Sequence, residues 1–158
     1  MKKIFFLITF ILLFFTKAEA IDISAVGSWS DTIDASDLQA GAGSNLIDTY
    51  ESVAGATVLT ISNTTGNTDN WRVDVRRTDT AWHSNLHLYV KRTSDGSGSG
   101  SISGGLSYIE ITTIDSQIFS GAGDRSGINL EYKLTGMSVS VPPNAYSTTV
   151  TYTVVDTL

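Results

Sequence analysis

Histidine, carboxylate and serine side chains are the groups in this chain that could perform catalysis or bind a metal ion. His83 and His87, the only histidines, stand four residues apart. On a β-strand two such residues share a face but lie roughly 13 Å apart, too far to hold one metal ion, whereas on a helix they would be close neighbours. Because apolar and polar residues alternate around His87 as in a strand, the pair indicates ordinary exposed histidines.

The acidic residues are spread singly, and no EF-hand loop pattern occurs among them. Asp69 and Asp95 fall in stretches rich in Gly, Asn and Ser, where an Asp commonly bonds its own backbone; a loop calcium site is the alternative there. The Gly/Ser run 94–105 holds many hydroxyls but no G-x-S-x-G elbow, and no Ser stands three residues before a Lys. The sequence therefore predicts that the protein is not an enzyme and has no cofactor.

Cysteine is absent from the 158 residues, and acidic residues outnumber basic ones by sixteen to ten. The lack of cysteine excludes thiol catalysis, Cys-based zinc sites, iron–sulfur clusters and disulfides, so stability must come from packing and backbone pairing. The negative charge repels phosphate backbones, and the sequence has no polybasic segment that would bind anionic lipid. We therefore expect no nucleic-acid partner.

Aromatic side chains provide the strongest candidate for a ligand site. Trp82 follows a polar turn and precedes His83, while Tyr89 faces away from its apolar neighbours Leu88 and Val90. Together with a histidine, Trp82 and Tyr89 could form a stacking platform for a sugar ring. The alternative, which the usual burial of aromatic side chains favours, is that they pack under a loop or against a neighbouring strand.

The elements that would position these residues are β-strands. Apolar and polar residues alternate with a period of two, which is typical of a sheet with one buried and one wet face. Turn-forming stretches separate the alternating segments. The Gly/Ser run predicts a long mobile hairpin loop, with an interdomain linker as the alternative. We expect seven to nine strands in an antiparallel two-sheet β-sandwich, with a loop or one short helical turn over 34–44. The alternating segments are 21–25, 59–61, 71–76, 86–91, 109–111, 128–134, 137–141 and 146–154.

The first twenty residues have the pattern of a cleavable signal peptide. Lys2 and Lys3 precede an apolar run over 4–15, and Ala18 and Ala20 place small residues where signal peptidase reads them. A helix over that run would be roughly 18 Å long, against about 30 Å of bilayer hydrocarbon, so no stable membrane anchor is expected. The sequence predicts export to the periplasm, the cell surface or the medium, with residues 21–158 forming a single β-sandwich domain.

Removal of residues 1–20 would leave seven basic and fifteen acidic residues, a net charge of −8 in place of −6. It would also place a short alternating strand at the new N-terminus. A Thr-rich alternating strand lies near the other end of the chain. Either could pair within the domain or with another chain, because an unpaired strand edge is a template for strand addition. The candidate strand-pairing residues are Ile21, Ile23, Tyr146, Val150, Tyr152 and Val154.

The stretch 143–154, a turn and a Tyr followed by alternating Thr and Val, resembles the final strand of secreted immunoglobulin-like pilus subunits and of spore-coat-protein-U-type domains. The WxL cell-surface domains end in a similar strand. The resemblance implies an immunoglobulin-like sandwich and strand donation between subunits. The chain departs from these families in having no disulfide and no W-x-L motif, and in placing Thr157 where chaperone-dependent pilus subunits usually have Tyr.

These observations predict a non-enzymatic exported structural or surface protein, fimbrial-like or adhesive, that forms part of a cell-surface or extracellular assembly by strand pairing. Its partners would be further copies of itself or other surface subunits. The alternative is a monomeric carbohydrate-binding or adhesive module that binds glycans through Trp82, His83 and Tyr89.

Overall fold

Ten β-strands form in residues 20–157, the part of the chain that the computed structural model describes. The predicted signal peptide lies outside the described residues except for Ala20. One 3-10 helical turn, Ala35–Asp37, confirms the short helical turn expected over 34–44. The strands are β1 Asp22–Gly27, β2 Tyr50–Glu51, β3 Thr57–Ser62, β4 Asn70–Ala81, β5 His87–Arg92, β6 Ile102–Gly104, β7 Ile109–Glu110, β8 Ser116–Ala122, β9 Arg125–Thr135 and β10 Ser147–Asp156.

The strands form two antiparallel sheets that pack against each other, which confirms the predicted all-β two-sheet sandwich. The first sheet has the order β1-β3-β9-β5-β7, and the short β2 pairs with β9 on the same side as β3. The second sheet has the order β10-β4-β8-β6. The first and last strands of the described chain thus lie at an edge of different sheets.

The core lies between the sheets and takes its side chains from both. Trp71 on β4 is fully buried, packs edge to face on Phe119 of β8, and donates its indole N–H to the carbonyl of Gly123 at 2.9 Å. The backbone of Gly121 passes so close to this ring that a side chain there would overlap it. A smaller cluster at one end of the sandwich contains Tyr50, Leu86, Met137 and Val141. The other large, fully buried side chains are Leu59, Ile61, Val73, Val75, Val90, Ile111, Ile128 and Leu130.

Two strand predictions were wrong, and each has a physical reason. Residues 137–141 alternate like a strand but form a turn, in which Met137 and Val141 are buried and Val139 is 67% exposed. The strand β8 was missed because its pairing with β4 shifts register between Gln117 and Phe119, so that the consecutive residues Ile118 and Phe119 are both buried. A bulge of this kind breaks the period of two on which the prediction depends. The short strands β2 and β6 explain why ten strands form where seven to nine were expected.

The Gly/Ser run does not form the expected hairpin loop, because it connects β5 of the first sheet to β6 of the second, and it packs closely against the hairpin between β8 and β9. Gly96, Gly98 and Gly100 each lie where a side chain would overlap a backbone carbonyl, those of Ser126, Asp124 and Ala122 respectively. Ser97 also forms reciprocal backbone hydrogen bonds with Ser126, at 2.7 and 2.8 Å. The alternation of Gly and Ser therefore serves a close backbone contact: every second residue must be Gly, and the serines between them face solvent.

Gly98→Ala should destabilise the fold by about 1–3 kcal/mol more than Gly66→Ala in urea denaturation. Both substitutions strain the backbone, but only Gly98→Ala also places the new methyl group in overlap with a neighbouring carbonyl. The two glycines have nearly the same φ, +154° and +156°, but Gly66 has open space around it. The pair of variants separates the cost of the conformation from the cost of the contact. Equal destabilisation would show that the run does not pack on the hairpin in solution.

Candidate functional site

The four sheet edges differ in length. On one side of the sandwich, β1 and β10 contact each other and offer edges of six and ten residues. The other two edges are β7, with two residues, and β6, with three. Very short edge strands are one of the ways in which proteins block unwanted strand addition. Of the strands in residues 20–157, the two terminal ones are therefore the edges long enough to accept another strand.

The free edge of β10 carries the backbone groups of its even-numbered residues. Thr157 donates its backbone N–H to Asn70 of β4 at 3.0 Å, and the groups that face the neighbour alternate along an antiparallel strand. Arg77 is opposite Val150 but donates its N–H away from β10, to Thr112, which fits this alternation. The N–H and C=O groups of Val150, Tyr152 and Val154 therefore face outward along the edge.

The side chains of β10 leave this edge unprotected. Val150, Tyr152 and Val154 pack their side chains against the main core, while Thr149, Thr151 and Thr153 face the opposite way, toward solvent. Residues 147–155 contain neither proline nor a charged residue. Lysine and proline are the residues that natural proteins place on edge strands to prevent pairing. From Thr148 to Val155, past the register shift at Ser147 and before Asp156, the edge of β10 is thus long, regular and uncharged.

The remaining strand-pairing candidates hold the chain ends to the sandwich. Ile21 and Ile23 pack against the main core, and Val26 at the far end of β1 is 71% exposed. Tyr146, just before β10, packs on the smaller cluster and donates its hydroxyl to the carbonyl of Pro142 at 2.5 Å. The six candidates therefore occupy two neighbouring edges, with the apolar side chains turned inward.

A chain of three hydroxyl groups ties β10 to the opposite sheet. The Tyr152 hydroxyl lies 2.7 Å from that of Tyr132 on β9, which lies 2.8 Å from the buried hydroxyl of Thr57 on β3. Burial, with the neighbouring Tyr132, raises the pKa of Tyr152 far above its ordinary value, so the hydroxyl stays neutral. This link adds to the pairing with β4 and holds β10 in a fixed position.

Trp82, His83 and Tyr89 lie in different surroundings. The Trp82 indole contacts both core clusters, donates its N–H to Leu86 at 2.9 Å and has the Arg77 guanidinium 4.9 Å from its ring centroid. The His83 ring meets Tyr146 edge to face at 6.2 Å. The Trp82 side chain is thus turned toward the sandwich interior, whereas Tyr89 faces outward.

Tyr89 belongs to a cluster of charged and aromatic side chains on the outer face of the first sheet. The Lys133 ammonium lies 5.1 Å from the Tyr89 ring centroid and 4.1 Å from that of Tyr108. Tyr108 donates a hydrogen bond from its hydroxyl to Glu131, and the same carboxylate forms an ion pair with Lys91 at 2.9 Å. The contribution of Tyr108 carried no sequence signal, because this residue lies outside the strands and reaches the cluster from the segment before β7.

Each charge in this cluster therefore has a partner. The hydrogen bond from Tyr108 lowers the pKa of the Glu131 carboxyl, and Lys91 lowers it further against the effect of partial burial. Burial and the same hydrogen bond raise the pKa of Tyr108. His87 lies at the margin and bonds Glu110 at 2.7 Å through Nδ1. The cluster is thus a surface network in which the charged side chains contact one another or the aromatic rings.

Three further findings bear on function. Within residues 20–157, no group of three or more His, Asp or Glu side chains is placed to hold a metal ion. None of the helical segments in that range is long and apolar enough to cross a membrane. Comparisons of the chain with protein-family models, with curated proteins and with solved structures find no match.

Tyr132→Phe should destabilise the protein by about 2–3 kcal/mol and Tyr152→Phe by about 1 kcal/mol, measured by chemical denaturation. The first leaves the hydroxyls of both Tyr152 and Thr57 without this partner, whereas the second leaves Tyr132 bonded to Thr57. Equal losses, or a larger loss for Tyr152→Phe, would contradict the hydroxyl chain.

Glu131→Gln should make stability less sensitive to acid. Because the folded-state pKa of Glu131 is lowered, its ionised form stabilises the fold above the unfolded value of about 4.3, and this contribution is lost as the pH falls below it. Unfolding midpoints between pH 7 and 3 should therefore fall less steeply in the variant. Asp115→Asn, which removes a carboxylate from an exposed pair with Arg76, is the control and should change the slope less. Identical slopes for Glu131→Gln and the wild type would contradict the role of Glu131.

Proposed function

We propose that the protein is a non-enzymatic, exported structural subunit that assembles with further copies of itself or with other surface subunits by strand pairing. The observation that carries the proposal is the contrast between the edges: the two terminal strands offer long edges on one side, and the other two edges are very short. An exposed long edge in a soluble protein promotes pairing unless charges or prolines prevent it. The edge of β10 has no such protection in residues 147–155.

The net negative charge of the chain favours association through one particular surface over association in any orientation. After removal of residues 1–20 the chain would have a net charge of −8, so copies repel one another at most orientations. Local attraction must then come from a surface that is itself uncharged, which describes the β10 edge. The export signal and the likeness of residues 143–154 to the last strand of immunoglobulin-like pilus subunits support an assembly in the periplasm, on the cell surface or outside the cell.

The test is light scattering behind size-exclusion chromatography on the protein purified after export, over a wide concentration range. Oligomers whose mass grows with concentration are expected. Aspartate at Ile21 and Ile23 would unfold β1, because these side chains pack on the core, so solvent-facing lysines are the better variants. Val26→Lys combined with Thr153→Lys should reduce the oligomers at least tenfold at a fixed concentration, since each lysine protects one long edge.

The matched control combines Ser103→Lys on β6 with Leu106→Lys in the loop after it, two exposed positions away from the long edges. It makes the same change in net charge and should assemble as the wild type does. A monomer at every concentration would contradict self-assembly and leave sugar binding through Trp82, His83 or Tyr89 as the alternative. Equal loss in both variants would attribute the effect to overall charge and would also count against strand pairing.

A further inference from the structure

We infer that β10 pairs with β10 of a second copy, antiparallel and about a two-fold axis at Tyr152, so that two four-stranded sheets join into one of eight strands. This inference rests on the proposed function and names the edge, the partner and the register. A two-fold axis makes two identical strands antiparallel, so one strand supplies both halves of the interface.

The backbone of β10 suits this pairing. Val150, Tyr152 and Val154 present outward N–H and C=O groups at every second residue, as an antiparallel neighbour requires. With the axis at Tyr152, Val150 of one copy faces Val154 of the other and Tyr152 faces itself. All three side chains already point into the core, so a second strand would cover their remaining exposed edges.

The charges on the outer face favour this register. On β4, Arg76 is opposite Thr151 and Asp74 is opposite Thr153. With the axis at Tyr152, Thr151 of one copy faces Thr153 of the other. Arg76 of one copy and Asp74 of the other then lie on one line that crosses the joined sheet at right angles to the strands. An axis at Thr151 would align Arg76 with Arg76, and one at Thr153 would align Asp74 with Asp74. Three strand spacings, about 14 Å, separate Arg76 from Asp74 of the other copy, and within each copy Arg76 is paired with Asp115 and Asp74 with Arg72. The charges therefore give this register only a weak preference and add little affinity.

The ends of the interface are also compatible with a second copy. Asp156 is the only charged residue of β10, and in this register it faces Thr148 of the other copy. No two carboxylates therefore face each other directly, and the nearest one, Asp79 beside Thr148, is itself paired with Arg77. The hydroxyl chain from Tyr152 to Thr57 fixes the strand at the axis itself.

Disulfide trapping can test the register cleanly, because the chain contains no cysteine. In the inferred pairing, odd-numbered residues occupy non-hydrogen-bonded positions with Cα atoms about 4.5 Å apart, within the range of a disulfide. Thr151→Cys and Thr153→Cys are made separately on solvent-facing positions, with tags of different mass. Mixed and oxidised, they should give the disulfide between residues 151 and 153 as the main product, at least fivefold above either homodimer. Circular dichroism confirms folding of each variant.

Ser103→Cys, on the short edge of the same sheet, is the control and should cross-link at background level. Predominant homodimers of either variant would overturn the axis at Tyr152. Oligomers in light scattering without any cross-link through 151 or 153 would overturn β10 pairing with the axis at or next to Tyr152 but leave assembly through another register or another edge. A monomer at every concentration would overturn this inference together with self-assembly, and would leave pairing with other surface subunits as the remaining form of the proposed function.

Discussion

Interlocking of side chains between two sheets is the interaction on which the whole structure depends, because no disulfide or metal ligand of the cysteine type can hold the sheets together. Trp71 is at the centre of this arrangement. Its ring fills the space between the sheets, its indole N–H is bonded to the hairpin after β8, and Gly121 provides the room that the ring needs. Burial of apolar area on this scale is the dominant favourable contribution in a fold without covalent cross-links.

A sandwich cannot close on itself as a barrel does, so this packing leaves four sheet edges to be protected. Two of them are protected by being very short. The other two are formed by the terminal strands, which is a consequence of the strand order: β1 and β10 each have one neighbour, and that neighbour is an interior strand. The protein thus has one protected and one unprotected side, and this asymmetry is what gives the proposed assembly a direction.

The sequence predicted the parts of the fold that follow from local alternation. The period of two identified β4 and β9, whose buried residues keep one parity through Val75 and from Ile128 to Tyr132. It failed at Ile118 and Phe119, where a bulge imposed by the partner strand buries consecutive residues, and at Val139, where alternation occurs in a turn. Contacts that depend on distant segments were also beyond it, including the packing of Gly98 on the β8–β9 hairpin.

The same limit applies to the candidate sites. Residue types indicated that Trp82 and Tyr89 could stack on a ligand, but only the fold shows that one side chain contacts the core while the other meets Lys133 on the outer face.

For β10, in contrast, alternation alone places Thr and Val on opposite faces. Alternation could not show that the outer backbone N–H and C=O groups of β10 lack a neighbouring strand, or that the strand is held in place. These features depend on β10 having a neighbour on one side only and on the hydroxyl contact with Tyr132 across the sandwich. A strand held on one side by β4 and from below by Tyr132 loses little conformational entropy when another strand pairs with it. A rigid, uncharged edge of this kind is therefore a better template than the more exposed β1.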